Sequence, residues 1–337
     1  MSLSYNGRKV LVTGADGFIG SHLTEALAAE GAKVTALAQY NAFGLNGWLD
    51  EAPDKVLSAV EIRRGDIRDA GFMRGLLEGQ DVVFHLAALI AIPHSYDAPQ
   101  SYVDVNVTGT LNVLEAARLH GVGRMIQTST SEVYGTALRK PIDEDHPLQG
   151  QSPYSASKIA ADMMAEAFVR SFSLPVVTLR PFNTFGPRQS ERAVLSTMIR
   201  QALDPDCDEI RLGDLGPTRD FNYVGNTVDA FLAAGDGESL DYGQPYNAGT
   251  GVEVSIGDMV ERVQAATGTN KPVVRDDARL RPEGSEVRAL VADYSRLQAA
   301  CGWTPVIDLD DGVARTVEWW RGRIESGRIR RSADYLT

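Results

Sequence analysis

Residues Lys9-Val10-Leu11-Val12-Thr13 form a short apolar run that leads directly into Gly14-Ala15-Asp16-Gly17-Phe18-Ile19-Gly20, and a helical pattern follows through Glu30. A strand that turns through three glycines into a helix constrains the fold more than any other feature of the chain. Gly14 permits the tight turn, Gly17 lets the backbone approach a pyrophosphate, and Gly20 lets helix and strand pack closely. The helix start at Phe18 and Ile19 then presents unpaired N–H groups and the positive end of a dipole to phosphates. The glycine spacing is GxxGxxG rather than GxGxxG.

The first half of the chain repeats this alternation. Lys33–Ala38, Val60–Arg64, Asp81–Leu86, Arg124–Ser129 and Val176–Arg180 read as strands, and Tyr102–His120 and Pro153–Ser171 read as helices. Strands that are apolar throughout and alternate with helices predict an α/β fold, a Rossmann-type doubly wound parallel sheet covered on both faces. After about Pro181 the strand signals thin out, and pieces such as Gly213-Asp214-Leu215-Gly216-Pro217 predict a smaller C-terminal substrate-binding α/β region. The expected division is residues 1–181 for the dinucleotide and mainly 182–337 for substrate, with segments near 221–250 returning to the sheet. A net charge of −12 argues against nucleic acid as a partner. No apolar run is long enough to span a bilayer. Cys207 and Cys301 have no metal-binding or CxxC spacing, so no metal is expected. With a polar start at Met1–Arg8, the expected location is the cytoplasm.

Three further places bear on a dinucleotide. Gly65-Asp66-Ile67 follows a strand and could present the Asp66 carboxylate to an adenine amino group. Leu86-Ala87-Ala88 ends another strand with small residues, where a flat cofactor needs room. The second strand ends in Ala38-Gln39-Tyr40-Asn41, with neither the acid that binds adenosine ribose hydroxyls nor a base for a 2′-phosphate. Gln39 and Asn41 are then the candidate ribose contacts; NAD is expected, and NADP stays open.

The chemistry-bearing residues come later. Tyr154 and Lys158 are four apart, on one face of a helix. A nearby ammonium and a positive nicotinamide lower a phenol's pKa from about 10, which makes it a usable base. Thr130, Ser131 and Glu132 stand at the end of a buried strand. Oxidation of an alcohol needs the Tyr/Lys pair; the carboxylate calls for a further step.

Together these segments resemble the extended short-chain dehydrogenase/reductases, the group of sugar-nucleotide epimerases, dehydratases and decarboxylases. The resemblance rests on TGADGFIG at Thr13–Gly20, HLAA at His85–Ala88, Asn106 with Gly109-Thr110-Leu111-Asn112, and STSEVYG at Ser129–Gly135. It continues in YSASK at Tyr154–Lys158, RPFNTFGPR at Arg180–Arg188 and TRDFNYV at Thr218–Val224. Thr130-Ser131-Glu132 is similar to the Thr-Ser-Glu of some 4,6-dehydratases, whereas C4-epimerases usually have small residues where Glu132 stands. The 4,6-dehydratases of bacterial amino-sugar pathways of the legionaminic-acid type resemble the chain in most detail. Tyr40-Asn41, Gly47-Trp48-Leu49-Asp50, Pro147–Pro153 and Arg279-Leu280-Arg281-Pro282 carry that likeness.

The resemblance implies a 4,6-dehydratase acting on UDP-N-acetylglucosamine or a close relative. Tyr154 would be the base at C4, Lys158 its electrostatic partner, Thr130 the hydroxyl that aligns the sugar, and Glu132 the base at C5. Ser131 would assist departure of the C6 hydroxyl. Asn183 would meet the substrate phosphates, with Arg219 and Arg281 as guanidinium clamps and Arg188 and Arg288 as further candidates. Asn106 would secure a helix kink, and the helices at Tyr102–Ala117 and Tyr154–Phe168 would form a homodimer interface. The alternatives are a C4-epimerase, a UDP-glucuronate decarboxylase and, more distantly, a non-catalytic dinucleotide-binding regulator.

Overall fold

A computed structural model describes residues 5–329. The chain opens with β1 (Lys9–Thr13), α1 (Phe18–Ala29), β2 (Lys33–Gln39) and β3 (Val60–Gly65). It continues with α2 (Ala70–Leu77), β4 (Val82–His85), α3 (Thr110–His120), β5 (Arg124–Thr128), α4 (Pro153–Phe172) and β6 (Val176–Pro181). Then come α5 (Val194–Leu203), α6 (Val224–Asp236), β7 (Pro245–Ala248), α7 (Ile256–Thr267) and α8 (Leu309–Glu325). Among the described residues, seven strands form one parallel sheet in the order β7-β6-β5-β4-β1-β2-β3. The strand order reverses between β1 and β4, and ligands of such sheets bind at the carboxyl ends of the strands beside that reversal.

The apolar strands are explained by burial on both faces. Val10 and Val12 join Leu23 and Leu27 of α1 and Phe231 of α6 on one side, while Leu11 and Val83 meet Leu76, Val113 and Phe168 on the other. The interior strands therefore carry apolar residues at successive positions, whereas the edge strand β3 alternates, with Glu61, Arg63 and Arg64 exposed. A separate core fills the C-terminal region, where α5, α7 and α8 pack Met198, Ile199, Val260, Val263, Val317 and Trp320 together.

The helix expected over 102–120 is not continuous. Residues Val103–Gly109 form a π-helical stretch before α3. The Asn106 side chain accounts for it: its amide pairs with both the N–H and C=O of Leu89, at 2.8 and 2.9 Å, and donates to Ser157 Oγ at 2.9 Å. These long-range bonds hold the extra residue of the wider turn beside α4. Among the described residues, no helix is long and apolar enough to cross a membrane.

Candidate active site

The glycine loop lies where β1 and β4 part. Gly14 has φ +69°, and a Cβ on it would come within 2.8 Å of Ala87 N, so the loop and the Leu86-Ala87-Ala88 segment touch backbone to backbone. Thr13 Oγ1 ties them further, accepting the N–H groups of Leu86 and Ala87 at 3.1 Å each. At Gly20 a Cβ would sit 2.0 Å from Gly14 O, which explains why the first turn of α1 can lie against the loop. Gly17 is the N-cap residue of α1 and offers no side-chain cap, so the N–H groups of Phe18 and Ile19 are left for an anion. A cradle this close to backbone, with open donors at its rim, fits a pyrophosphate.

The other expected dinucleotide residues line the same end of the sheet. Asp66 follows β3, and both its oxygens accept from Arg68, which with the backbone Arg68 N–H holds its carboxyl below the usual range. Ile67 is buried against Gly109. Gln39 is exposed at the end of β2, and its N–H donates to Asp16 Oδ2 at 3.1 Å. His85, fully buried, bridges Thr13 Oγ1 at 2.8 Å and Thr110 Oγ1 at 3.0 Å. Burial, with the Lys158 charge nearby, pushes its pKa down to about 3, so it stays neutral and acts as a brace.

The catalytic candidates meet at the end of β5. The chain leaves the strand through Ser129 and Thr130 and makes a tight turn over Ser131–Tyr134, which Thr130 Oγ1 caps by accepting the Glu132 N–H at 3.2 Å. That turn brings Ser131 and Glu132 to the face where α4 presents Tyr154. The start of α4 is set by a reciprocal cap between Ser152 and Ser155, with Pro153 in the first turn. Tyr154 and Lys158 are both buried, and the Thr130 side chain lies beside the Tyr154 phenol. Burial, and secondarily the Glu132 charge, raise the Tyr154 phenol above its usual value, while the Thr130 side chain pulls it back. Lys158 Nζ donates to Thr128 O at 2.6 Å. Burial lowers the Lys158 pKa to about 8, against the upward pull of Asp162.

Behind Lys158 lies a network that inspection of the motifs missed. Asp162 Oδ2 accepts from Ser129 Oγ at 2.7 Å and from Arg180 Nη2 at 3.1 Å. Arg180 Nη1 donates to Tyr134 Oη at 2.9 Å, and that hydroxyl donates to Asn247 Oδ1 at 2.7 Å. The signal was present: an acid four residues after Lys158 on the same helix, and an arginine within an apolar strand. Each would be costly to bury without the other.

A cavity of about 510 Å³ is lined among others by Tyr96, Asn183, Arg219, Arg281 and Glu286, and Arg281 connects it to Glu132 of the turn. Arg219 is buried, donates to Thr218 O at 2.9 Å and reaches Glu286 at 3.3 Å. Burial lowers its pKa, against the pull of Glu132 and Glu286. Arg281 stands between two carboxylates, 4.0 Å from Glu132 and 4.0 Å from Glu286. Its Nη1 and the Asn183 Oδ1 are buried without a hydrogen-bond partner. Buried polar atoms seldom go unpaired in a finished structure, and a ligand bearing phosphates and hydroxyls would pair both.

Two arginines expected here sit elsewhere. Arg188 does not join the cavity: its guanidinium donates to Glu25 at 2.7 Å and Ser21 at 3.2 Å on α1, which corrects the expectation of a phosphate contact. Arg288 is exposed and pairs with Asp214 at 2.9 Å.

Comparison with known proteins supplies independent findings. Residues 11–316 match the family model of GDP-mannose 4,6 dehydratase. The chain is similar to a UDP-glucose 4-epimerase of Mycolicibacterium smegmatis, 35% identical over 94% of this chain and 99% of that protein. It is also similar to a dTDP-glucose 4,6-dehydratase of an Actinoplanes species, 34% identical over 93% of this chain and 98% of the relative. Among solved structures, a dTDP-glucose 4,6-dehydratase of Streptomyces venezuelae with NAD bound superposes with TM-score 0.82 at 27% identity, over 94% of this chain and 98% of that one.

Proposed function

Since the chain belongs to the GDP-mannose 4,6-dehydratase family of nucleotide-sugar enzymes, within the extended short-chain dehydrogenase/reductases, we infer that it is an NAD-dependent 4,6-dehydratase of a nucleotide-activated hexose. The observation that carries this reading is Glu132. The turn after β5 holds its carboxylate beside the Tyr154 phenol and, through Arg281, at the edge of the cavity.

When bound, NAD supplies hydride acceptance at C4, hydride return at C6 and a positive charge beside the phenol. The chain supplies the proton inventory. Tyr154 takes the proton of the C4 hydroxyl, with Thr130 aligning that oxygen and the Lys158 ammonium stabilising the phenolate. A ketone at C4 makes the C5 proton acidic, and Glu132 removes it. Ser131 assists departure of the C6 hydroxyl as water. An epimerase needs only the Tyr154 step, so a carboxylate at 132 favours elimination.

The substrate reading is UDP-N-acetylglucosamine or a close relative. It draws on the likeness of Tyr40-Asn41, Gly47–Asp50, Pro147–Pro153 and Arg279–Pro282 to the amino-sugar dehydratases. Asn183, Arg219 and Arg281 hold the diphosphate. NAD binding is assigned to residues 1–181 with α6 and β7, and the nucleotide sugar mainly to 182–337. The working unit is a homodimer joined through α3 and α4, which expose Leu119, Met163 and Phe172.

Incubation with UDP-N-acetylglucosamine in deuterated water tests this reading. The expected product is the 4-keto-6-deoxy sugar with deuterium at C5. Interconversion of C4 epimers without loss of water would overturn it in favour of an epimerase. Carbon dioxide release from a uronic-acid substrate alone would favour a decarboxylase.

A further inference from the structure

The acid that β2 lacks is present in the structure, carried by a different element. In dinucleotide folds a carboxylate about 20 residues past the glycine loop, at the end of the second strand, accepts the adenosine ribose hydroxyls. Here that strand end has Ala38, fully buried, followed by exposed Gln39 and Tyr40. Asp16, between Ala15 and Gly17 of the glycine turn, points its carboxylate at this place: Oδ2 accepts the Gln39 N–H at 3.1 Å.

Asp16 is also held from behind. Its carbonyl accepts the Trp48 N–H at 3.0 Å, and Gly47, at φ +57°, lies so close that a Cβ would meet that carbonyl at 2.4 Å. The 47–51 turn is in turn clasped by α8, through Arg323 on Glu51 at 2.8 Å and Trp319 against Trp48. Partial burial raises the Asp16 carboxyl above its ordinary value, and among the described residues no cation pairs with it. Its Oδ1 makes no hydrogen bond there, whereas both oxygens of nearby Asp66 are taken by Arg68.

The neighbouring cation is Arg64, which stands opposite Ala38 in the β2–β3 register. Its guanidinium is engaged by Asn46 Oδ1 at 2.8 Å and Gly44 O at 2.6 Å, so it braces the 40–51 segment. A carboxylate with an open oxygen, next to an arginine already occupied, suits two ribose hydroxyls and repels a 2′-phosphate.

We propose that Asp16 is the ribose-binding acid of this chain and that it selects NAD over NADP from the glycine loop instead of from β2. The assignment rests on the dinucleotide reading of that loop, and direct binding keeps the two separable. The probes are NADH and NADPH, titrated by nucleotide fluorescence into protein freed of any co-purified dinucleotide. Wild type should prefer NADH. Asp16→Asn keeps an acceptor for the Gln39 N–H and removes only the charge. It should weaken NADH by about tenfold to a hundredfold and shrink the NADH/NADPH preference, with an unchanged melting temperature. Asp16→Ala should weaken NADH at least as much. A wild type that binds NADPH as tightly as NADH, or an Asp16→Asn variant with wild-type affinity and preference, would overturn the assignment. Wild type binding neither nucleotide would overturn the dinucleotide reading, and the Asp16 assignment with it.

Discussion

Two charged clusters flank Tyr154, and their charges pair at different distances. Behind it, Lys158, Asp162, Arg180, Ser129 and Tyr134 are linked by bonds of 2.6–3.3 Å to one another or to backbone. In front, Arg281 lies 4.0 Å from both Glu132 and Glu286, and the buried Arg281 Nη1 and Asn183 Oδ1 make no hydrogen bond. The rear cluster is joined by direct hydrogen bonds, with Asp162 Oδ1 left without one, and fixes where the phenol stands. The front one has two guanidiniums and an amide at distances that a diphosphate would close. Burial alone does not separate them, since Arg180 and Arg219 are both deeply buried; the spacing of the ion pairs does, 3.1 Å between Arg180 and Asp162 against 4.0 Å around Arg281.

The largest effect is expected at the residue between the two clusters. Tyr154→Phe removes the base and leaves both clusters in place, so turnover should fall by about 10³–10⁴-fold, with the melting temperature unchanged. Breaking the rear cluster comes next. Asp162→Asn leaves the buried charges of Arg180 and Lys158 without their carboxylate, which should cost about 3–5 kcal/mol in denaturant unfolding. It should also move a pH profile. Lys158 is needed as the ammonium, and its proton leaves at about pH 8, so turnover falls as pH rises through that value. Asp162 raises that pKa, and its loss therefore shifts the fall to lower pH. An unshifted alkaline limb would show that Asp162 is purely structural.

Opening the front cluster should read out differently. Arg281→Lys removes planar two-point recognition and should raise KM about tenfold to a hundredfold, from roughly 1.5–3 kcal/mol of charge-assisted bonding. Stability should hold. A collapse in melting temperature would mean that the front cluster is as structural as the rear one. The smallest effect is expected at Arg188→Ala, where loss of a partly exposed pair with Glu25 should cost about 1 kcal/mol or less and leave KM unaltered.

How much of this was visible in the sequence follows from how far each interaction reaches along the chain. Strands β1, β2 and β4 were legible because burial on both faces demands largely apolar runs, and β3 by its alternation at the sheet edge. The meeting of Tyr154 and Lys158 follows from four-residue helical spacing. The resemblance pointed to a kink at Asn106; its anchor was not legible, since the Asn106 amide bonds to Leu89, 17 residues away. Arg188 was misread for the same reason: its partner Glu25 is 163 residues distant, and an arginine in a motif does not announce its carboxylate. Asp16 carries no signal of its own in the sequence, because only the fold brings it to the end of β2.

The central claim is that Glu132 takes the C5 proton. It is tested most directly by following solvent deuterium into C5 of UDP-N-acetylglucosamine by NMR, with wild type and Glu132→Gln side by side. The account predicts deuterium at C5 in a 4-keto-6-deoxy product for wild type. For Glu132→Gln it predicts bound cofactor, no C5 deuterium and no loss of water. A Glu132→Gln protein that incorporates deuterium at C5 at the wild-type rate would contradict it.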